Sequence, residues 1–427
     1  MLLELSLDSS VRRSAVVSIA LLASLFLAIL TVSNFIIGVL ADPRANLSFD
    51  SISSAAACFP NSARAQARLA EAYLAEAIED ESIARQAESA ASKAVDYSPW
   101  DYKLRLLLAS TREVSGNLAA AEASLQTSLS LAPHNANAQW LLANLLVREG
   151  KLNQALDKFS AAITSDPSRL PAALDLIWNI SDGNLDALTA ITGSEPTLKL
   201  GLADYFLKKS LVVEAARVFS EVNRQTRLAF PESAAFINTL IAGGHVELAH
   251  SLWLDLVDGR SSADRPLLWN GSFEAQIQKK WSQFDWSLES SNYALIAVVN
   301  GTAHDGAQSL RIAFTGRDTT RLNSEIKQLI LVRPGVRYRL ECYAKTEDLV
   351  IPEGPSVVVT SKSSSTPIAA SEPIATGSHG WQPLIIDFTS PIDSPALVIS
   401  IKRTPRFSYD DPAQGMIWLD DFTLRER

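Results

Sequence analysis

The spacing of apolar residues divides the chain into three stretches with different periods. From Ser14 to Ala41 it reads SAVVSIALLASLFLAILTVSNFIIGVLA, 28 residues without a charge. About 20 apolar residues span a bilayer, whereas the apolar core of a cleaved signal peptide is about 7 to 15, so the run predicts a permanent transmembrane helix. Cleavage after Val39-Leu40-Ala41 is the alternative. Arg12 and Arg13 precede the run. The positive-inside rule makes 1–13 a cytoplasmic tail and places everything after the 14–41 anchor outside the cytoplasm. Segment 42–60 reads as a polar linker. Cys58 follows three alanines, but Asp42 to Ser54 separates it from the apolar run, which argues against a lipidation signal.

From 61 to 259 the apolar period is helical, and a longer period lies over it. Pro99, Pro133 and Pro167 recur every 34 residues. So do Ala75, Ala109 and Ala143, then Ala87, Ala121 and Ala155, with Gly116 and Gly150 at the turns. Small residues let paired helices cross closely, and a proline closes each unit. This pattern resembles the tetratricopeptide repeat. The clearest copy runs from Ala136 to Arg169, with Trp140, Leu142, Ala143, Leu146, Gly150, Ala155, Phe159, Ala162 and Pro167 in phase. The phase is lost after Pro167 and regained where Ala215 and Phe219 recur as Ala249 and Trp253. About five to six helix pairs are expected, stacked as a solenoid that docks protein partners or serves as a spacer. Asn144, Arg148 and Arg112 are the polar candidates for its concave face.

A polar segment from Asp258 to Pro266 predicts a hinge at 260–266, and beyond it the period becomes two. Val336, Tyr338, Leu340, Cys342 and Ala344 alternate with Arg337, Arg339, Glu341, Tyr343 and Lys345. Further strands are expected at Ser309 to Phe314, Ser324 to Val332, Ser356 to Ser361, Leu384 to Thr389, Ala396 to Arg403 and Met416 to Leu424. Turns are expected at Arg333-Pro334-Gly335 and Thr376-Gly377-Ser378. The fold class is therefore multidomain, α then β: an anchor helix, an all-α solenoid, and a β-sandwich of eight or nine strands over 267–427.

The order Asn270-Gly271-x-Phe273-Glu274, Trp281, Gly306-x-x-Ser309-Leu310, Val332-x-Pro334-Gly335-x-x-Tyr338, Trp381 and Trp418-x-Asp420-Asp421-Phe422-x-Leu424 resembles carbohydrate-binding jelly-roll modules of the CBM4/9, galactose-binding-like type. The resemblance implies a structural calcium ion between Glu274 and Asp420 or Asp421. The other reading of Asp420 is a carboxylate held by backbone amides and an arginine, without metal. Alternation places Trp418, Asp420, Phe422 and Leu424 on one face. Sugar binding would need aromatic rings outside the strand cores, and Trp286, Tyr293, Trp381 and Tyr409 are the candidates, with Arg403, Arg406 and Asp410 nearby in sequence. Phe273, Trp281 and Trp418 are expected in the core.

Composition narrows the function. A net charge of -9 and a pI near 5.2 offer no basic face for nucleic acid. Cys58 and Cys342, in different domains, predict neither a disulfide nor a metal site. The pairs Asp410-Asp411 and Asp420-Asp421 are adjacent on strands and point to opposite faces, so they cannot flank a glycosidic bond. No nucleophile or phosphate-binding motif accompanies them, and a non-enzymatic protein is expected. The leading reading is a scaffold at the bacterial inner membrane that holds polysaccharide and recruits envelope or exopolysaccharide assembly and export proteins. The alternative is a pure protein-assembly scaffold whose sandwich binds no sugar.

Overall fold

The computed structural model describes residues 10–40, 47–77, 80–258, 266–362, 364, 366–406 and 411–427. Most of the expected hinge, 260–265, lies outside the described residues. Two compact units are separated at Leu202/Ala203.

The first unit opens with α1 (Ser10–Leu40). Its segment Arg13–Val39, 27 residues with mean hydropathy 2.7, is long and apolar enough to cross a membrane, and none of its most apolar window is buried against protein. A core helix would bury one face. Helix α2 (Phe49–Cys58) follows, capped by Ser48. Antiparallel pairs then run α3 (Ala63–Glu76), α4 (Glu81–Tyr97), α5 (Tyr102–Val114), α6 (Leu118–Leu131), α7 (Ala136–Arg148), α8 (Leu152–Ser165), α9 (Leu170–Ile180) and α10 (Leu185–Thr192). The next helix, α11 (Pro196–Lys208), contains the division between units.

The 34-residue period is visible in hydrogen bonding. Gly116 and Gly150 have φ of 80° and 74°, and beyond them Asn117 N donates to Arg112 O at 2.8 Å and Lys151 N to Leu146 O at 2.9 Å. These are the C-terminal closures that a left-handed glycine permits. Ala87, Ala121 and Ala155 are buried at the helix crossings, as are Ala109 and Ala143. Ala75 departs from expectation and is exposed. Helix α3 begins 39 rather than 34 residues before α5, so Ala70, fully buried, occupies the place of Ala109. The three polar candidates serve within the repeats. Arg112 bridges Glu88 at 3.2 Å and Ser124 Oγ at 2.7 Å, Arg148 pairs with Glu113 at 2.6 Å, and Asn144 donates to Trp140 O.

The second unit continues with α12 (Val212–Glu221), α13 (Arg224–Ala229), α14 (Ser233–Ala242) and α15 (Val246–Val257). Ten strands follow among the described residues: β1 (Ser287–Leu288), β2 (Ala294–Asn300), β3 (Gln308–Thr315), β4 (Ile326–Leu331), β5 (Arg337–Val350), β6 (Ser356–Ser361), β7 (Pro367–Ala370), β8 (Gly377–Thr389), β9 (Ala396–Lys402) and β10 (Gln414–Glu426). They form two antiparallel five-stranded sheets, β1-β4-β9-β6-β7 and β2-β3-β10-β5-β8. The core between them includes Phe273, Trp286, Leu310, Tyr338, Leu340, Cys342, Ile399 and Leu419. Burial drives the Cys342 thiol pKa far up, so it stays protonated. The short strand β1 and proline-led β7 carry little alternation. The expected turn at Gly377 is instead the first residue of β8, where its φ of 94° suits glycine.

Helix α15 is fastened to the sandwich, which explains why the division falls in α11 and not near 260. Trp253 is fully buried, its ring 5.5 Å from Trp269 and 5.6 Å from Phe284, and its Nε1 donates to Trp281 O at 2.8 Å. His250 packs edge-on to Phe284 at 4.8 Å. Lys280 Nζ donates to Leu228 O and Phe230 O at 3.1 and 3.0 Å, and Lys362 Nζ to Ile241 O. The last repeat therefore gives its phase-marking aromatic to the β domain.

Candidate functional site

Two irregularities build one cluster on the outward face of the β2-β3-β10-β5-β8 sheet. In β10, Asp420 pairs with Tyr343 and Thr423 with Glu341, so three steps on β10 match two on β5. Asp421 sits in this bulge at φ 50°. In β8, Gln382 pairs with Ala344 and His379 with Thr346, again three steps against two, which places Trp381 in a bulge.

Bulging also changes the expected alternation. Trp418 and Asp420 point outward beside Lys345 and Tyr343, whereas Phe422 and Leu424 face the core. A strict period of two put all four on one face, and the extra residue reverses the last pair. Asn270-Gly271 secures the crossing. Phe422 N donates to Gly271 O at 2.9 Å, and a Cβ at Gly271 would lie 1.9 Å from Phe422 O. Asn270, at φ 50°, closes its turn through Ala275 N and O, both at 2.9 Å.

Carboxylates grip loop 302–308 from both sides. Glu274 Oε1 accepts from Ala307 N at 2.7 Å and Gln308 N at 2.8 Å, and Gly306 leaves room for it, since a Cβ there would lie 2.4 Å from the same oxygen. Asp420 Oδ2 accepts from His304 N at 2.7 Å and Asp305 N at 3.4 Å, while its Oδ1 accepts from Asp421 N at 2.8 Å. Burial pushes the Asp420 carboxyl above the usual range, and the amide donors pull it back. Glu274 and Asp420 thus receive backbone N–H donors, and Asp421 faces the His304 ring. The arrangement is a loop clamp, with backbone amides as the partners of Asp420.

The clamped loop lays His304 on the sheet. Its ring stacks on Tyr343 at 3.7 Å and 10°, Nδ1 lies 2.5 Å from Asp421 Oδ2, and Trp381 stands edge-on at 5.7 Å. Tyr343 OH donates to Glu341 Oε1 at 3.1 Å, which raises the phenol pKa. One step along, Lys345 Nζ lies 5.3 Å over the Trp418 ring, and Arg311 of β3 flanks the same tryptophan. Aromatic faces, cations and carboxylates thus share one surface, a combination that can stack on a ring-shaped ligand and hydrogen-bond its hydroxyls.

Among the sugar-contact candidates, Trp381 joins this cluster, half-buried. Tyr293 adjoins the opposite edge, its carbonyl accepting from Thr315 N at 3.1 Å. Trp286 requires correction: it is fully buried between Phe273 and Phe422, at 5.1 and 4.8 Å, with Nε1 donating to Asn270 O. A ring enclosed on both sides cannot stack on a sugar. Tyr409 and Asp410 lie outside the described residues. Arg403 is buried and paired with buried Asp411. Trp418 is buried as expected, but beneath Lys345 on the outer face. The outward set Tyr343 and Lys345 was legible in the alternation, while His304 had no sequence signal beyond its glycine-flanked loop.

A separate concavity of about 880 Å³ opens at the β1 and β2 edges, and its lining includes Glu274, Trp286, Leu288, Glu289, Val298 and Gln308.

The tetratricopeptide-repeat family matches residues 114–177. A crystal structure of MamA is 17% identical over 34% of this chain and 82% of that one, with TM-score 0.29. A CBM4 structure is 18% identical over 38% and 99%, with TM-score 0.28. TmCBM61 in complex with β-1,4-galactotriose is 16% identical over 38% and 100%, also with TM-score 0.28. Among curated proteins none matches the chain. The chain carries an apolar N-terminal helix, a tetratricopeptide-repeat match over 114–177, and a two-sheet antiparallel β-sandwich.

Proposed function

We propose that this chain is a non-catalytic, membrane-anchored scaffold that acts outside the cytoplasm. Its helical repeats dock protein partners, and its sandwich binds a polysaccharide on the outward face of the β2-β3-β10-β5-β8 sheet. The process would be assembly or export of cell-envelope polysaccharide or exopolysaccharide at a bacterial inner membrane. One observation carries the glycan assignment: the half-buried Tyr343 and Trp381 share a surface with Lys345, Arg311 and Asp421. Structural needs alone do not call for two partly exposed aromatics side by side on a solvent-side sheet face. Helices of the repeat type supply protein-docking surface.

The test is retention of the chain by a panel of bacterial and plant polysaccharides in affinity electrophoresis. Retention by at least one polymer, lost in W381A and Y343A and kept in W286F, supports the reading. Equal retention of all variants, or none on any polymer, refutes it. The pure protein-assembly scaffold is favoured by a different observation. Lys345 covers Trp418 and His304 covers Tyr343, as in a face already covered by its own side chains.

A further inference from the structure

At about 1.5 Å rise per residue, the 27-residue span Arg13–Val39 reaches about 40 Å, close to the full thickness of a bilayer with its headgroups. Were α1 a retained anchor, Gly38 at the far end of the span would stand at headgroup level and not in hydrocarbon. It does not stand alone. A cavity of about 370 Å³ brings Gly38 together with Arg64, Arg68 and Glu71 of α3 and Lys103 of α5. Three cations thus meet one carboxylate, and Glu71 is already engaged by Arg68 at 3.0 Å. Arg64 and Lys103 are exposed.

Three residues before Lys103 is Trp100, 83% exposed and among the barest large apolar side chains outside α1. Three residues of chain reach at most about 11 Å, which keeps Trp100 close to Lys103. Its neighbour Asp101 caps α5, its carboxylate accepting from Lys103 N at 2.9 Å, and adds one exposed negative charge to this region. Tryptophan and basic side chains at a bilayer surface are the pair that interfacial anchoring uses: the indole sits among headgroups, and the cations attract anionic lipid.

We propose that the first helix pairs bind acidic phospholipid headgroups, with Arg64, Arg68 and Lys103 as the cradle beside Gly38 and Trp100 seated in the interfacial layer. This rests on the reading of α1 as a retained anchor. It gives the repeats a fixed attitude on the membrane, where the anchor alone would leave them free to swivel.

The test places the full-length chain in nanodiscs of phosphatidylcholine, with or without phosphatidylglycerol. An environment-sensitive fluorophore is attached through W100C in a C58S background, since Cys342 is buried. Retention in bilayers after alkaline carbonate is measured first. If the chain washes out, the anchor reading fails and the proposal falls with it. In retained chain, the expected result is a blue shift and quenching by brominated lipid that strengthen with phosphatidylglycerol, with the difference lost in R64E/K103E. Emission typical of water in both lipids, from chain that survives the wash, overturns the proposal while leaving the anchor intact. Quenching that ignores phosphatidylglycerol and is unchanged in R64E/K103E overturns the recognition of acidic headgroups.

Discussion

Removing the indole of Trp253 should uncouple the last helical repeat from the β-sandwich. The side chain is fully buried, faces Trp269 and Phe284, and supplies the donor for Trp281 O. Truncating a buried tryptophan costs about 3–5 kcal/mol. W253F separates the contributions: it keeps most of the packing but leaves Trp281 O without its indole donor, which costs about 1–3 kcal/mol. Urea denaturation should be followed by two probes, far-ultraviolet dichroism for the helices and fluorescence for the tryptophan-rich sandwich. In the parent chain the signals from α12–α15 and the sandwich should fall together. In W253A the helical signal from this unit should fall first, with a second transition for the sandwich. The lysine ties from Lys280 and Lys362 reach only backbone carbonyls from exposed positions and should not restore the coupling. A W253A chain whose two signals still coincide, with stability changed by less than about 1 kcal/mol, would show that the seam is not held by this residue.

Asp285 offers a pH test. It is buried, accepts from Trp286 N at 2.7 Å, and has a pKa raised to about 6, chiefly by burial. The folded chain holds a proton that the unfolded chain has lost, so stability should fall as pH rises from about 4 to 6, by roughly 3 kcal/mol. D285N should flatten that slope and be the more stable form at pH 7; equal slopes in thermal melts would contradict the assignment. G271A should fail to fold its sandwich or lose about 3 kcal/mol or more, because the new Cβ meets Phe422 O at 1.9 Å. Normal expression and melting of G271A would show that the β10 crossing is looser than described. Calcium or its chelation should leave the melting temperature unchanged. A saturable rise with millimolar calcium would mean that Glu274 and Asp420 release their amide partners for a metal.

Periodicity carried most of the architecture because it reports which face is buried, and burial is common to helix, repeat and strand. It failed wherever one residue was inserted or a segment was too short to show a period. The longer first pair moved the helix crossing from Ala75 to Ala70, and the β10 bulge turned Phe422 and Leu424 to the core while Trp418 and Asp420 stayed outside. The same two kinds of event explain the candidate site. Tyr343 and Lys345 were legible as outward residues, but Trp381 owes its position to the β8 bulge and His304 to a loop clamped by Glu274 and Asp420. Trp286 misled because an isolated tryptophan in sequence carries no sign of its enclosure. The acidic motif gave a different lesson. Its residues are required whether they bind a metal or backbone amides, since either partner fixes the same loop against the same strand. A carboxylate motif therefore identifies the place being held, and the donors around it decide what holds it. Here those donors are amides, and the held loop sets His304 over Tyr343, which makes the clamp a determinant of the outward aromatic surface itself.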